Sequence, residues 1–132
     1  MKLNHECVRE MLLSIEEIPY QQARLGLDFY EIIKSSRLSI FYQEDLEYTI
    51  IQLVDASYID GVITFDHAQN IMDDLKHMTW EGHKFLDTIR DNKVWTDTKK
   101  VTSKFSSVSI TMVETVASNV LTNIISKQMG LS

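Results

Sequence analysis

Apolar residues recur with helical spacing near the start of the chain. Four of them occupy positions i, i+3, i+4 and i+7 and so share one helix face: Val8, Met11, Leu12 and Ile15. Asn4 precedes the run and can cap the helix, because its side-chain oxygen accepts from a free amide of the first turn. Pro19 follows, and the residue before a proline avoids helical geometry. The pattern therefore predicts a first helix between Asn4 and Pro19.

The next segment, up to residue 42, has a less regular pattern. Asp28 can cap a short helix with an apolar side formed by Phe29, Ile32 and Ile33. Further on, three apolar residues alternate with their neighbours: Leu38, Ile40 and Tyr42. This alternation fits a short strand as well as a turn, and both interpretations stay open.

A helix, a hairpin and another helix are predicted from residue 43 onward. The first of these helices is marked by Leu46, Ile50, Leu53 and Val54, and it should stop near residue 57. β-branched and aromatic residues at 58–65 predict a strand, residues 66–73 a loop, and residues 75–78 the returning strand. Thr79 is the expected N-cap of the following helix, whose apolar face is formed by Phe85, Leu86 and Ile89.

The C-terminal part of the chain has a helical pattern throughout. One helix is marked by Val94, Trp95, Val101 and Phe105, and serines at 106, 107 and 109 form a joint. A longer apolar stripe runs through residues 113–125, with Gly130 as its C-terminal stop. The expected fold class is mainly α with a small β-hairpin. It comprises a winged helix-turn-helix-like domain over residues 1–92 and a C-terminal helical extension over residues 93–132.

The last helix combines an apolar stripe with an unusual polar face. Residues 108–125 include one charged residue, Glu114, but serine, threonine and asparagine interrupt the run too often for a membrane span. A solvated face normally carries lysine and glutamate, so both faces of this helix are expected to be partly covered. A core helix within the chain and a homodimer contact stay open. The candidate oligomerisation residues are Val113, Val116, Val120, Leu121 and Ile124.

Composition describes an ordinary globular protein. The 132 residues are 44% hydrophobic with a net charge of −6, enough for one domain with its own core. The single cysteine, Cys7, lies in a helical pattern, which favours a buried, unreactive thiol. Charged residues near the N-terminus stand where a signal peptide would have its apolar stretch, so a cytoplasmic location is expected.

Negative charge is concentrated in the predicted helix and hairpin. Residues 43–76 contain Lys76 against eight acids: Glu44, Asp45, Glu47, Asp55, Asp60, Asp66, Asp73 and Asp74. A winged helix reads the DNA major groove with its third helix and touches phosphates with its wing. Phosphate contact requires lysine or arginine. The local charge therefore opposes the usual use of the fold.

Two functional hypotheses follow from this conflict. The favoured one is a non-catalytic protein that binds another protein through an acidic surface, with the candidate residues Asp45, Glu47, Asp60, Asp66, Asp73 and Asp74. The alternative is a dimeric DNA-binding transcriptional regulator. Its candidate nucleic-acid contacts are Gln43, Tyr48, Thr49, Gln52, Lys76, Lys93, Lys99 and Lys100.

Metal and enzyme chemistry have little support in the sequence. His67, His77 and His83 lie near acids, but no pair has the i, i+4 spacing of a zinc protease and no cysteine joins them. The chain has no P-loop, Gly-X-Ser-X-Gly elbow or glycine-rich dinucleotide turn. We therefore expect no metal, no cofactor and no catalytic residues.

Four segments carry a family resemblance: MKLN at residues 1–4, LVDASYI at 53–59, TWEGHKFLDTIRD at 79–91, and Val94-Trp95. By these segments nearly the whole chain resembles an uncharacterised phage and prophage family of low-GC Gram-positive bacteria, a domain of unknown function. The family pattern usually has glycine at the position of Ser57 and histidine at that of Thr49. The resemblance implies a winged-helix-like fold and a phage or prophage origin, and the favoured hypothesis is therefore a phage or prophage accessory protein in a bacterial host cell. It implies no established activity.

Overall fold

The computed structural model describes residues 1–130 and is mainly helical, with one β-hairpin. The helices are α1 (His5–Glu16), α2 (Tyr20–Ala23), α3 (Phe29–Ile32), α4 (Gln43–Asp55), α5 (Trp80–Ile89), α6 (Asn92–Thr102) and α7 (Ile110–Gln128). The hairpin strands β1 (Ile59–Phe65) and β2 (Ile71–Met78) pair antiparallel between α4 and α5. This arrangement confirms the predicted class, mainly α with a small hairpin and C-terminal helices.

The chain divides into two compact units. The first runs from Met1 to His83 and the second begins at Lys84, so the division lies inside α5. The boundary after residue 92 that the sequence predicts stays a prediction.

The first helix has the cap and the buried face that its sequence predicts. Asn4 Oδ1 accepts a hydrogen bond from Cys7 N at 3.1 Å. The four apolar residues of the predicted face are buried: Val8, Met11, Leu12 and Ile15. The Cys7 side chain is fully buried, as expected, and burial raises the pKa of its thiol. This face of α1 packs against α4 in the core of the first unit.

The segment between α1 and α4 forms short helices and turns. Asp28 caps α3 as expected, because its carboxylate accepts from Tyr30 N at 2.9 Å. The strand interpretation of residues 38–42 is wrong, and the turn interpretation is confirmed. Leu38 ends a 3-10 helix, and Phe41 N donates to Leu38 O at 3.2 Å. These bonds pair backbone N–H and C=O groups within the turn itself, whereas a strand would have to pair them with a neighbouring strand.

The turn after α4 requires an uncommon backbone conformation. Tyr58 N donates to Leu53 O at 2.9 Å, which is the wrapping bond of a helix C-terminal motif. Ser57 adopts a φ of +63° to allow this bond. That left-handed conformation favours glycine, the residue that the resembled family usually has at this position.

The hairpin loop is shorter than the sequence predicts. β2 starts at Ile71, so residues 71–73 belong to a strand and the loop covers residues 66–70. Ile71 stands opposite Phe65 in the register and is buried, which anchors the strand at this point. Asp73 and Asp74 therefore lie on β2.

Thr79 closes the base of the hairpin and starts α5. Its backbone N–H donates to Tyr58 O at 3.0 Å, and its hydroxyl donates to Ser57 O at 2.6 Å. The same hydroxyl accepts from Gly82 N at 3.1 Å, which confirms the predicted N-cap. Gly82 lies so close to the preceding turn that an added Cβ would stand 2.3 Å from Tyr58 O.

The second unit contains a pair of capped helices. Asp91 accepts from Lys93 N and Val94 N at 2.9 and 3.1 Å, so Asn92 begins α6. Ser109, in the predicted serine joint, caps α7 by accepting from Met112 N at 3.1 Å. Gly130 follows α7 with a φ of +72°, as expected of a helix stop. Within the described residues, no helix is both long and apolar enough to cross a membrane.

We predict that Gly82→Ala destabilises the fold although alanine is the better helix former. The new methyl group would overlap the Tyr58 carbonyl, and relieving an overlap in a packed interior costs about 1–3 kcal/mol. The helix-propensity gain of roughly 1 kcal/mol offsets part of this cost. Urea denaturation should show a lower free energy of unfolding, whereas His83→Ala at the adjacent exposed position should change it little. An unchanged or more stable Gly82→Ala protein would contradict the close contact.

Candidate binding surface

The side of α4 that faces solvent carries only negative charge. The buried face of the helix consists of Leu46, Thr49, Ile50 and Leu53. Glu44 and Asp55 are exposed, while Asp45 and Glu47 are half-buried. The helix contains no lysine or arginine. We call the solvent side of α4 together with the hairpin residues 59–78 the α4–hairpin surface.

Two of the six predicted acidic contacts have structural roles. Asp66 accepts from Ala68 N at 2.8 Å and from Asn70 N at 2.9 Å, and so shapes the hairpin loop. Asp73 Oδ2 accepts from Phe29 N at 3.1 Å and ties β2 to the start of α3. Burial raises the pKa of Asp73, although the hydrogen bond from Phe29 opposes the rise.

The other four predicted acids lie partly or fully at the surface, and their contact with a partner stays a prediction. Asp45 and Glu47 lie on α4, and Asp60 and Asp74 are exposed on the hairpin. Asp60 Oδ2 stands 3.8 Å from His77 Nε2 across the two strands.

The surface also includes Glu44 and Asp55, which were absent from the predicted set. Their spacing relative to the apolar residues of α4 places them on the outer side, so the helical period is the signal that could have found them.

One of the predicted nucleic-acid contacts on α4 is wrong. Thr49 is 1% exposed and belongs to the buried face, so its side chain cannot reach a ligand. Gln43 is exposed at the start of α4, and Tyr48 and Gln52 are half-buried. Lys76 is exposed on β2. It stands at a β-bulge, because Asp60 pairs with residue 77 and Gly61 with residue 75.

The three predicted basic contacts of the tail lie on α6, where Asp97 pairs with two of them. Lys93 Nζ is 2.6 Å and Lys100 Nζ 3.8 Å from the Asp97 carboxylate. Their side-chain and charge interactions, first of all the hydrogen bond from Lys93, lower the pKa of Asp97. Lys99 Nζ lies 5.9 Å from the ring centre of Trp95. The i, i+3 and i, i+4 spacing of these charges is the sequence signal for such pairs.

The predicted oligomerisation stripe on α7 divides into two parts. Val113 is 2% exposed within the chain itself, so including it among contacts with a second copy is wrong. Four residues of the stripe are half-buried: Val116, Val120, Leu121 and Ile124. The homodimer stays a prediction.

β1 forms the outer edge of the hairpin. β2 has a second neighbour on its other side, because Leu27 N donates to Leu75 O at 3.1 Å in a single bridge. Gly61 of β1 has a φ of +152°, and an added Cβ there would stand 2.6 Å from Asp74 O. Glycine at position 61 therefore permits both the bulge and the close approach of the two strands.

The histidines and acids do not form a metal cluster in residues 1–130. No group of three or more histidine, cysteine, aspartate or glutamate side chains is placed there to hold an ion. His77 lies beside Asp60, and His67 and His83 are exposed.

We predict that Asp73→Asn removes a pH-dependent cost of folding. The raised pKa means that the folded protein holds the Asp73 proton more tightly than the unfolded chain does. This cost is absent below the ordinary pKa of 3.8 and complete above the raised value. Asparagine can still accept from Phe29 N, so the variant should gain stability relative to wild type as pH rises through that window. Thermal unfolding across pH measures this gain.

Asp74→Asn is the matched control for this prediction. It leaves the burial of Asp73, the largest cause of the raised pKa, and the bond to Phe29 in place, and it removes only the smallest cause, the charge of Asp74. It should therefore keep most of the pH dependence that Asp73 contributes. A stability difference between wild type and Asp73→Asn that is constant with pH would contradict the desolvation of Asp73.

Comparison with known proteins identifies a family without an assigned activity. Residues 2–109 match the family described as "Hypothetical protein (DUF2513)". An "Uncharacterized protein" of Haemophilus influenzae (strain ATCC 51907 / DSM 11121 / KW20 / Rd) is 24% identical over 126 residues, covering 95% of this chain and 99% of that protein. No solved structure matches the chain. Because the family match covers most of the chain, this protein belongs to the DUF2513 family.

Proposed function

We propose that this DUF2513 protein is a non-catalytic binding protein that presents an acidic winged-helix surface to a protein partner rich in lysine and arginine. The order of elements in the first unit supports the winged-helix part. It consists of α1, the bridge at Leu27, α3, α4 and the hairpin. In a winged helix-turn-helix, α4 would be the recognition helix and the hairpin the wing.

The charge of α4 is the observation that carries the proposal. Its thirteen residues include four acids and no base, and the apolar residues occupy the opposite, buried face. In a groove-reading pose these acids would approach phosphates. Each such approach costs about 1 kcal/mol in partly screened solvent. Several penalties of this size cancel the contacts that the polar residues of α4 could make.

A basic partner would be attracted to the same surface. Carboxylates of Glu44 and Glu47 on α4 and of Asp60 and Asp74 on the hairpin lie in one unit of the chain. Exposed charges of one sign accelerate association with an oppositely charged partner, and salt weakens the effect. The net charge of −6 adds to this long-range attraction.

An accessory role in phages or prophages, in the cytoplasm of a bacterial host, is part of the proposal. It rests on the resemblance carried by the four sequence segments, since the family description names no activity.

The alternative is a dimeric DNA-binding transcriptional regulator. The winged-helix order of elements and the exposed Gln43 at the start of α4 favour this alternative. The charge of α4 and the pairing of Lys93 and Lys100 with Asp97 oppose it. We therefore place protein binding first.

Charge reversal on α4 tests the proposal. The probe is a fluorescein-labelled lysine homopeptide, whose binding is followed by fluorescence anisotropy at several salt concentrations. We expect wild-type binding that weakens with salt, and a loss of about tenfold, roughly 1.4 kcal/mol, in the double variant Glu44→Lys and Glu47→Lys.

The control variant carries the same change in net charge on α5, through Glu81→Lys and Asp87→Lys. Both positions are exposed. This variant changes the long-range charge by the same amount but leaves α4 intact, so its affinity for the peptide should fall by no more than about twofold. Equal losses in the two variants would mean that net charge alone attracts the peptide. No binding by the wild-type protein would contradict the proposed function.

A further inference from the structure

Within residues 1–130, the outer edge of β1 has backbone groups that pair with no other strand. In an antiparallel pair, residues alternate between those that bond to the neighbouring strand and those that point away from it. Tyr58 O accepts from Thr79 N at 3.0 Å. Asp66 N donates to Asn70 O at 2.9 Å, so even-numbered residues face β2. The residues of β1 beyond the base whose N–H and C=O groups point to the outer edge are Gly61, Ile63 and Phe65.

Beyond Asp60 and the bulge at the base of the hairpin, this edge lacks the usual protection against strand addition. Natural edge strands are blunted by lysine, proline or an inward-pointing charge, or are covered by another element. Residues 61–65 read Gly-Val-Ile-Thr-Phe, with no charge and no proline. Val62 is 59% and Phe65 52% exposed, and Thr64 is exposed as well. The bulge lies at the base of the hairpin, so the strand beyond it keeps a regular register with β2.

The charges around this edge favour a basic strand over a second copy of the chain as its binding partner. Each hairpin carries Asp60, Asp66, Asp73 and Asp74 against Lys76. Pairing β1 with β1 of a second copy would bring the acids of two hairpins together, which repels. A strand with lysine or arginine on its outer face would instead lie next to Asp60 and, across Val62, Asp74.

We propose that β1 takes up an extended basic segment of the partner as a third strand of the hairpin sheet. In this mode of recognition, backbone hydrogen bonds supply affinity and alternate side chains supply specificity. Apolar side chains of the incoming strand would pack beside Ile63 and Phe65, and its basic ones beside Val62, near the carboxylates. This inference rests on the proposed function and names the kind of segment that the acidic surface binds.

The test uses a labelled peptide of alternating lysine and valine, matched in length to the seven residues of β1. Its binding is measured by anisotropy, and amide hydrogen exchange of the protein is followed by NMR with and without saturating peptide. We expect exchange of the Ile63 and Phe65 amides to slow by about tenfold or more in the complex. The Val62 and Thr64 amides already face β2 and should change less.

A pair of variants separates strand pairing from side-chain contact. Ile63→Pro removes an N–H that points away from β2, which an edge strand tolerates, and should weaken peptide binding by about tenfold. Ile63→Thr keeps the N–H and a β-branched side chain, so it should bind within about twofold of wild type. If Ile63→Pro does not fold, the exchange measurement on the wild-type protein decides alone.

The outcomes distinguish this inference from the function on which it rests. If the peptide binds and the α4 reversal weakens it while the Ile63 amide stays unprotected, strand addition is wrong and the acidic surface stands. If the wild-type protein binds neither this peptide nor the lysine homopeptide, both proposals are wrong. Protection of Ile63 that rises with protein concentration in the absence of peptide would assign the edge to a second copy and overturn the basic occupant.

Discussion

The junction between the end of α4 and the start of α5 is the constraint on which the rest of the first unit depends. Thr79 bonds to the carbonyls of Ser57 and Tyr58 on one side and to the amide of Gly82 on the other. The absence of a side chain at Gly82 lets α5 begin directly against Tyr58. Both ends of the hairpin are thereby fixed at its base, so a two-stranded sheet that would be marginal alone keeps a defined register beside α4.

In the proposed function, this junction determines where the acidic residues stand. With the base of the hairpin held, the apolar face of α4 packs inward and its acids must face solvent. If the first unit is a winged helix, as we propose, it presents carboxylates where the phosphates of DNA would lie. The outer edge of β1 belongs to the same unit, so in the proposed binding mode backbone hydrogen bonds and charge would act on one partner segment.

Features governed by local chemistry could be predicted from the sequence. The caps at Asn4, Asp28 and Thr79 depend on residues within a few positions, and so does the period of α4. The length of the hairpin loop depends on long-range contacts, and it was missed. Asp73 is predicted as a loop residue, but its pairing with Ile63 places it on β2, and its carboxylate bonds to Phe29, which is 44 positions away in the chain. The burial of Thr49 and Val113 likewise depends on packing that periodicity describes only in outline.

The most direct measurement of the central claim is the affinity for DNA of the wild-type protein and of the Glu44→Lys, Glu47→Lys variant. A short labelled duplex of random sequence is titrated with each protein, and anisotropy is recorded over a range of salt. The account holds that acids on a winged-helix surface exclude DNA. Wild type should therefore show no salt-sensitive binding, and the variant should gain it because phosphate contacts release counterions. Wild-type binding that weakens steeply with salt and is lost in Lys76→Ala would contradict the account.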